Sequence, residues 1–302
     1  MSYVLQHWSA AWAALAVWAS VATLHLAGLR RLGAGRRAWE AVAFHGGLLL
    51  ALLALASPLG YWSGLYIWAR SIQDLLLAFI APGLIVLGAP WPVLARGVRP
   101  DSGRAVQPGG EPDPPARARW WLAWPVAVVV AFNVIWLGWH LTAPYDLTAT
   151  NAAARYLEYV CYLAAGIGFW LQLIGSGPSR PVLSPVRRLA LLVATAVADA
   201  ILGMVLVFGS GLVYPAYLGA AHHLLTVVSD QQAGGAVLWM GVLPPLIIAA
   251  VALINRWLDA EESDELSRDL DAVLGRVSVR PATSKPGKAV WHARSGYRRP
   301  TT

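Results

Sequence analysis

The sequence predicts an all-α protein: a polytopic bundle of seven membrane helices, with its N-terminus outside and its C-terminus in the cytoplasm. Three observations predict it. Of the 302 residues, 57% are apolar and 13% are charged, where soluble chains carry about 25% charged residues. The apolar residues fall into runs close to the roughly 20 residues that a bilayer-crossing helix needs. The 23 Lys and Arg residues alternate between loops in step with those runs. The same composition excludes other classes. The one cysteine, Cys161, cannot form a disulfide within the chain or supply a thiolate cluster. Apolar content this high excludes disorder over most of the chain.

In order, the spans cover about 8–29, 39–58, 71–95, 120–141, 154–174, 187–209 and 235–256. The first has no Lys or Arg before it and is long for a signal peptide, so it reads as a retained span. Segment 59–70 is too short to cross and reads as an interfacial loop or surface helix. The third span holds Pro82 and the Gly88-Ala89-Pro90 step. These predict a kink near its middle and an irregular end. Residues 96–119 form a flexible, Pro/Gly-rich cytoplasmic loop within a membrane domain of 1–258. The tail, 259–302, opens with an acidic stretch in which Leu266, Leu270, Val273 and Leu274 recur at helical spacing. That stretch reads as a short helix, and the basic remainder as disordered.

From the first loop to the tail, the Lys and Arg counts run 4, 1, 5, 1, 3, 0 and 9. The rich side is the cytoplasm by the positive-inside rule. The net charge of +7 is therefore mainly a topology code and calls for no nucleic-acid partner. The basic tail is placed to meet anionic lipid of the bilayer. Most of the sixteen tryptophans fall near span ends, as interfacial belts require.

The polar residues at membrane depth carry the functional argument, and most lie on the outer side. They are Arg70, Gln73 and Asp74, then His140, Tyr145 and Asp146, then Arg155, Glu158 and Tyr159. The last outer loop adds Tyr214, Tyr217, His222, His223, Asp230, Gln231 and Gln232. Arg70 and Asp74 share a helix face, as do Arg155 and Tyr159. Arg155 with Asp74 reads as an inter-helix ion pair. Asp199 lies near the middle of the sixth span, either as a proton- or metal-handling group or as a hydrogen-bonded structural acid. Asn133 sits at similar depth in the fourth. His25 and His45, in the inner halves of the first two spans, read as helix-packing residues. Met1, Met204 and Met240 form no cluster, so imidazole is the soft-metal ligand at hand. The candidate metal ligands are His140, His222 and His223, with Asp230 nearby.

Several blocks together resemble the seven-span CtaG family, the assembly factors of caa3-type cytochrome c oxidase. They are SIQDLLLAFIAPGLIVLGAP (71–90), WHLTAPYD (139–146), ARYLEYVCYLAAGIGFW (154–170), LVYPAYLG (212–219) and SDQQAGGAVLW (229–239). His140, Tyr145, Asp146, Asp230, Gln231 and Gln232 stand at motif positions. The family places histidine pairs four apart at the starts of the third-span and fifth-span blocks. Here those positions hold Arg70 with Asp74 and Arg155 with Tyr159, and arginine cannot ligate a metal. The resemblance implies a multi-pass assembly factor in a bacterial inner membrane. It would assist copper delivery, or stabilise the copper-containing oxidase subunits, at the outer face. Copper is then the implied metal and oxidase subunits the implied partners. No nucleophile and base converge, so no enzyme is expected. The alternatives are a non-metal accessory or scaffold subunit of a respiratory oxidase, and a small-ion transporter using Asp199 and Asn133.

Overall fold

A computed structural model describes Trp8 and residues 12–32, 38–98, 120–174, 183–219 and 225–278. It is helical, with no strand among the described residues. The helices are α1 (Trp12–Leu32), α2 (Ala38–Ala56), α3 (Pro58–Trp62), α4 (Ile67–Leu75), α5 (Ala81–Leu87), α6 (Trp91–Val98), α7 (Trp120–Trp139), α8 (Thr142–Thr150), α9 (Ala152–Ile174), α10 (Pro185–Phe208) and α11 (Val227–Ser278). A π-helical turn, Leu76–Ile80, joins α4 to α5, and a 3₁₀ turn, Pro215–Gly219, follows α10. Six helices are long and apolar enough to cross a membrane. The pair Trp124–Trp139 and Thr142–Thr150, bent by 67°, makes a seventh if it is one broken span. Each of the seven apolar runs of the sequence falls on one of these helices or on the bent pair. The chain divides into two units, 1–255 and 256–302.

Segment 59–70 is resolved into structure that its sequence left open. Ser57 caps α3 by accepting the Leu59 N–H at 3.3 Å, and Pro58 supplies the first-turn φ. From Ile67 the chain is already in the third span. The expected kink is the π turn. Pro82 has no N–H for the Ala78 carbonyl, and Gly166 of α9 lies against that carbonyl, where a Cβ would clash. The Trp170 indole N–H of α9 donates to the Phe79 carbonyl at 2.8 Å. The irregular backbone is thus satisfied from α9, which is how a membrane interior tolerates it.

The core runs along α4, the π turn and α5, against α7, α9, α10 and α11. Phe79, Phe132, Trp136, Phe169 and Trp170 form its aromatic centre, with Phe132 and Phe169 stacked at 4.5 Å. Small residues set the closest approaches, as in membrane bundles generally. A Cβ on Gly235 would lie 2.6 Å from Leu206 Cβ, and one on Gly234 2.8 Å from Ile67 Cγ2. Large apolar residues such as Val17, Val134, Val197, Ile201 and Ile248 face outward. The pattern is apolar outside and polar within.

In the second unit, the helix expected after residue 259 is present as far as Ser278. Leu266 and Leu270 are exposed there. Residues 279–302 lie outside the described residues, as do His222, His223 and most of the 96–119 loop.

Candidate functional site

The site grows from the first turns of α4. Tyr66, at the N-cap of α4, supplies no side-chain acceptor. Asp230 of α11 does so instead. Its carboxylate accepts the Ile67 N–H at 2.8 Å and the Trp68 N–H at 3.1 Å. An anion at a helix N-terminus satisfies orphan donors and meets the positive end of the dipole. The next residue, Gln231, holds the loop after α10. Its Oε1 accepts the Val213 N–H at 2.7 Å, and its Nε2 donates to the Gly211 carbonyl at 3.1 Å. Gly234 lets α11 close onto Ile67. The Asp-Gln-Gln-x-Gly-Gly element is therefore a clasp that fixes α4. Gln232 is exposed on its outer face.

What α4 presents from that clasp is Arg70 and Asp74, one turn apart and buried. Arg70 Nη2 donates to Glu158 Oε2 at 2.6 Å, to Oε1 at 2.7 Å, and to Thr148 Oγ1. Its guanidinium stands 4.2 Å from the centre of the Tyr145 ring, a cation–π contact. Arg70 Nε is 3.7 Å from Asp74 Oδ2. The partner across helices is thus Glu158, which corrects the expected Arg155–Asp74 pair. Arg155 instead ends α8, donating from Nε to the Thr148 carbonyl at 2.8 Å and from Nη2 to Ala149 at 3.1 Å. That use fits a cation at a helix C-terminus. Tyr159, one turn on, donates to Gln73 at 3.0 Å.

His140 closes the cluster from the end of α7. Its Nδ1 lies 2.8 Å from the Trp136 carbonyl, an atom that only accepts, so the proton is on Nδ1. Nε2 is then left as a lone pair directed at Asp74 Oδ2, 3.8 Å away. His140 Nε2 and both Asp74 oxygens are buried without a hydrogen-bond partner. Around them Tyr145 and Tyr214 stack at 3.7 Å. Tyr214 donates to the His140 carbonyl at 2.9 Å. Tyr217 donates to the Ser63 carbonyl at 2.9 Å. Burial pushes the phenols of Tyr214 and Tyr217 above their ordinary range, so both remain donors near neutral pH. Asp146 accepts the Ala216 N–H at 3.3 Å and anchors the 3₁₀ turn. Beside the network a cleft of about 1090 Å³ lies between α1 and α2 on one side and α9 on the other. Its lining includes Trp12, Tyr61, Arg155 and Tyr159.

Two donors, one imidazole and one carboxylate, can face a common ion here. Their 3.8 Å separation is compatible with two bonds of about 2.0–2.2 Å at an open angle. Among the described residues no third His, Cys, Asp or Glu joins them. Glu158 is spent on Arg70, whose charge stands beside the same Asp74 oxygen. Among the described residues no three His, Cys, Asp or Glu side chains converge on a metal position. Arg70, Asp74, Glu158 and His140 thus do not make a resident copper centre. Asp199 lies apart on α10, accepting the Trp136 indole N–H at 3.2 Å. Asn133 donates to the Val129 carbonyl at 2.9 Å and to Thr195 at 3.0 Å.

Residues 23–260 match the family described as cytochrome c oxidase caa3 assembly factor. The chain belongs to that family. The match covers the clasp, the ion network and every span except the first part of α1. Among curated relatives, uncharacterised proteins of Mycobacterium bovis and Mycobacterium tuberculosis are each 25% identical over 245 residues. These alignments take in 76% of this chain and 36% of the relative. One from Mycobacterium leprae is 24% identical over 254 residues, with 77% and 37% covered. The chain thus spans little more than a third of the length of the curated relatives it matches. No solved structure matches it. Within the family frame, Glu158 and Thr148 are the residues that sequence reasoning undervalued. The signal for Glu158 was present: a carboxylate at membrane depth requires a cation.

Proposed function

We propose that this chain assists assembly of a caa3-type cytochrome c oxidase at the outer face of a bacterial inner membrane. It does so by delivering copper, or by stabilising the subunits that receive it. The family match over 23–260 carries this reading. The Lys and Arg alternation supports placing the ion network, at the arginine-poor end of the bundle, on the outer side. Of the two roles, holding the receiving subunit is the better supported. Arg70 and Glu158 satisfy one another, and His140 with Asp74 supplies only two donors. Copper is then passing cargo, met by His140 and Asp74, with His222 and His223 of the last outer loop of the sequence as further candidate ligands. The partners are oxidase subunits and the bilayer, and the role is assembly rather than catalysis. A transporter is less well supported. Asp199 is buried and accepts the Trp136 indole N–H, which gives it a structural partner.

The test is complementation. In a bacterium with a caa3-type oxidase and its own family member deleted, expression of this chain restores assembled oxidase, read from haem absorbance and membrane copper content. Failure to restore it overturns the assembly reading. Excess copper in the medium separates the roles. Recovery by copper alone supports delivery, and persistent loss of the copper-bearing subunit from the membrane supports holding.

A further inference from the structure

His25 and His45 lie at the opposite, arginine-rich end from the network. His25 is seven residues before the end of α1, and His45 is seven after the start of α2. Each is therefore about 10 Å from the helix end on that side. His25 Nδ1 and His45 Nε2 are 3.2 Å apart, with the rings nearly perpendicular at 81°. His25 is fully buried and His45 half-buried. The backbone around them is fixed by close contacts. Gly28 of α1 packs on the Val93 carbonyl of α6, and Gly47 of α2 on the Ala81 carbonyl of α5. Phe44 lies 4.2 Å from the His25 ring and 5.4 Å from that of His45.

We infer that this pair is a two-imidazole site for a soft monovalent cation, Cu(I), within the membrane. Imidazole suits copper, and Cu(I) accepts two ligands in a near-linear arrangement. A single positive charge is also the least costly to bury without a carboxylate. With metal–nitrogen bonds of about 2 Å, the two nitrogens separate from 3.2 Å to about 4 Å. Small rotations of both rings supply that change. The balance is simple. In the neutral pair one ring donates N–H to the lone pair of the other. On binding, that proton moves to the other nitrogen of its own ring, both facing lone pairs go to copper, and no net proton is released. The site shares no residue with the outer network and does not rest on the oxidase role.

The experiment is a Cu(I) titration of the full chain in detergent against a chromophoric Cu(I) chelator. Wild type is compared with His45→Gln and His25→Gln, whose amides preserve a hydrogen bond between the helices. The expected result is loss of one Cu(I) equivalent in each variant, with the unfolding midpoint nearly unchanged. Equal binding by wild type and both variants overturns the proposal. If a variant does not fold, X-ray absorption of the Cu(I)-loaded wild type decides. A two-coordinate nitrogen signature supports the site, and its absence overturns it. Failure of complementation with this titration intact bears on the assembly role alone.

Discussion

At the scale of single residues, the decisive contact is Arg70 with Glu158. Two carboxylates face one guanidinium in a region where Arg70, Asp74 and Glu158 are each at most 2% exposed. Removing one partner of a buried pair leaves an uncompensated charge and costs about 3–5 kcal/mol. Arg70→Met is therefore expected to lower the unfolding midpoint strongly. Adding Glu158→Gln to it recovers part of the loss, because one of the two stranded carboxylates is gone. A thermal-unfolding double-mutant cycle reads the coupling, and strictly additive effects overturn the pairing. Sequence spacing shows that Arg70 and Asp74 share a face. It does not show which neighbouring helix that face meets. Arg155 and Glu158 lie three apart on α9, and depth alone makes either a plausible partner for α4. The structure divides them: Glu158 turns into the bundle, while Arg155 reaches the carbonyl end of α8. His140 was legible as a candidate ligand, but the tautomer that aims Nε2 at Asp74 follows only from the Trp136 carbonyl.

At the scale of elements, α4 is held by a clasp whose parts are far apart in sequence. Asp230 caps its first turn from 163 positions away. The Asp-Gln-Gln-x-Gly-Gly element was visible as a motif, yet read as outer-face chemistry. Its Asp, first Gln and glycines serve packing, and no periodicity could show this because their partners lie on α4 and α10. Gly234→Val tests the point. A Cβ there would lie 2.8 Å from Ile67 Cγ2 and 3.0 Å from Ser71 Oγ, and overpacking of this kind costs about 1–3 kcal/mol. The variant is expected to loosen α4 and lower the unfolding midpoint. Gly46→Ala is the control, since nothing lies within 4 Å of its added Cβ and alanine favours helix by up to about 1 kcal/mol. Its midpoint should hold or rise. Equal losses in both would show that the α4–α11 approach is not limiting. The π turn was foreshadowed by Pro82, though not the Trp170 bond that satisfies it.

At the scale of the whole molecule, the long apolar helices were the most legible feature, because bilayer thickness imposes one run length everywhere. The buried polar network and the apolar exterior follow from that same constraint: charge is tolerated only where protein surrounds it. Which end faces out is a separate matter, carried by the Lys and Arg alternation alone. It can be read directly by placing single cysteines on a Cys161→Ala background. Leu218, 64% exposed in the 3₁₀ turn, stands at the arginine-poor end. Ser263, exposed in the 256–302 unit, follows the last span. A membrane-impermeant maleimide added to intact cells should label Leu218→Cys and spare Ser263→Cys until the membrane is permeabilised. The reverse pattern would invert the topology. It would put the Arg70–Glu158 network on the cytoplasmic side and the His25–His45 pair outside, and so remove the outer-face assembly role while leaving the fold intact. Labelling of both in intact cells would mean that α11, the span that separates the two positions, does not cross.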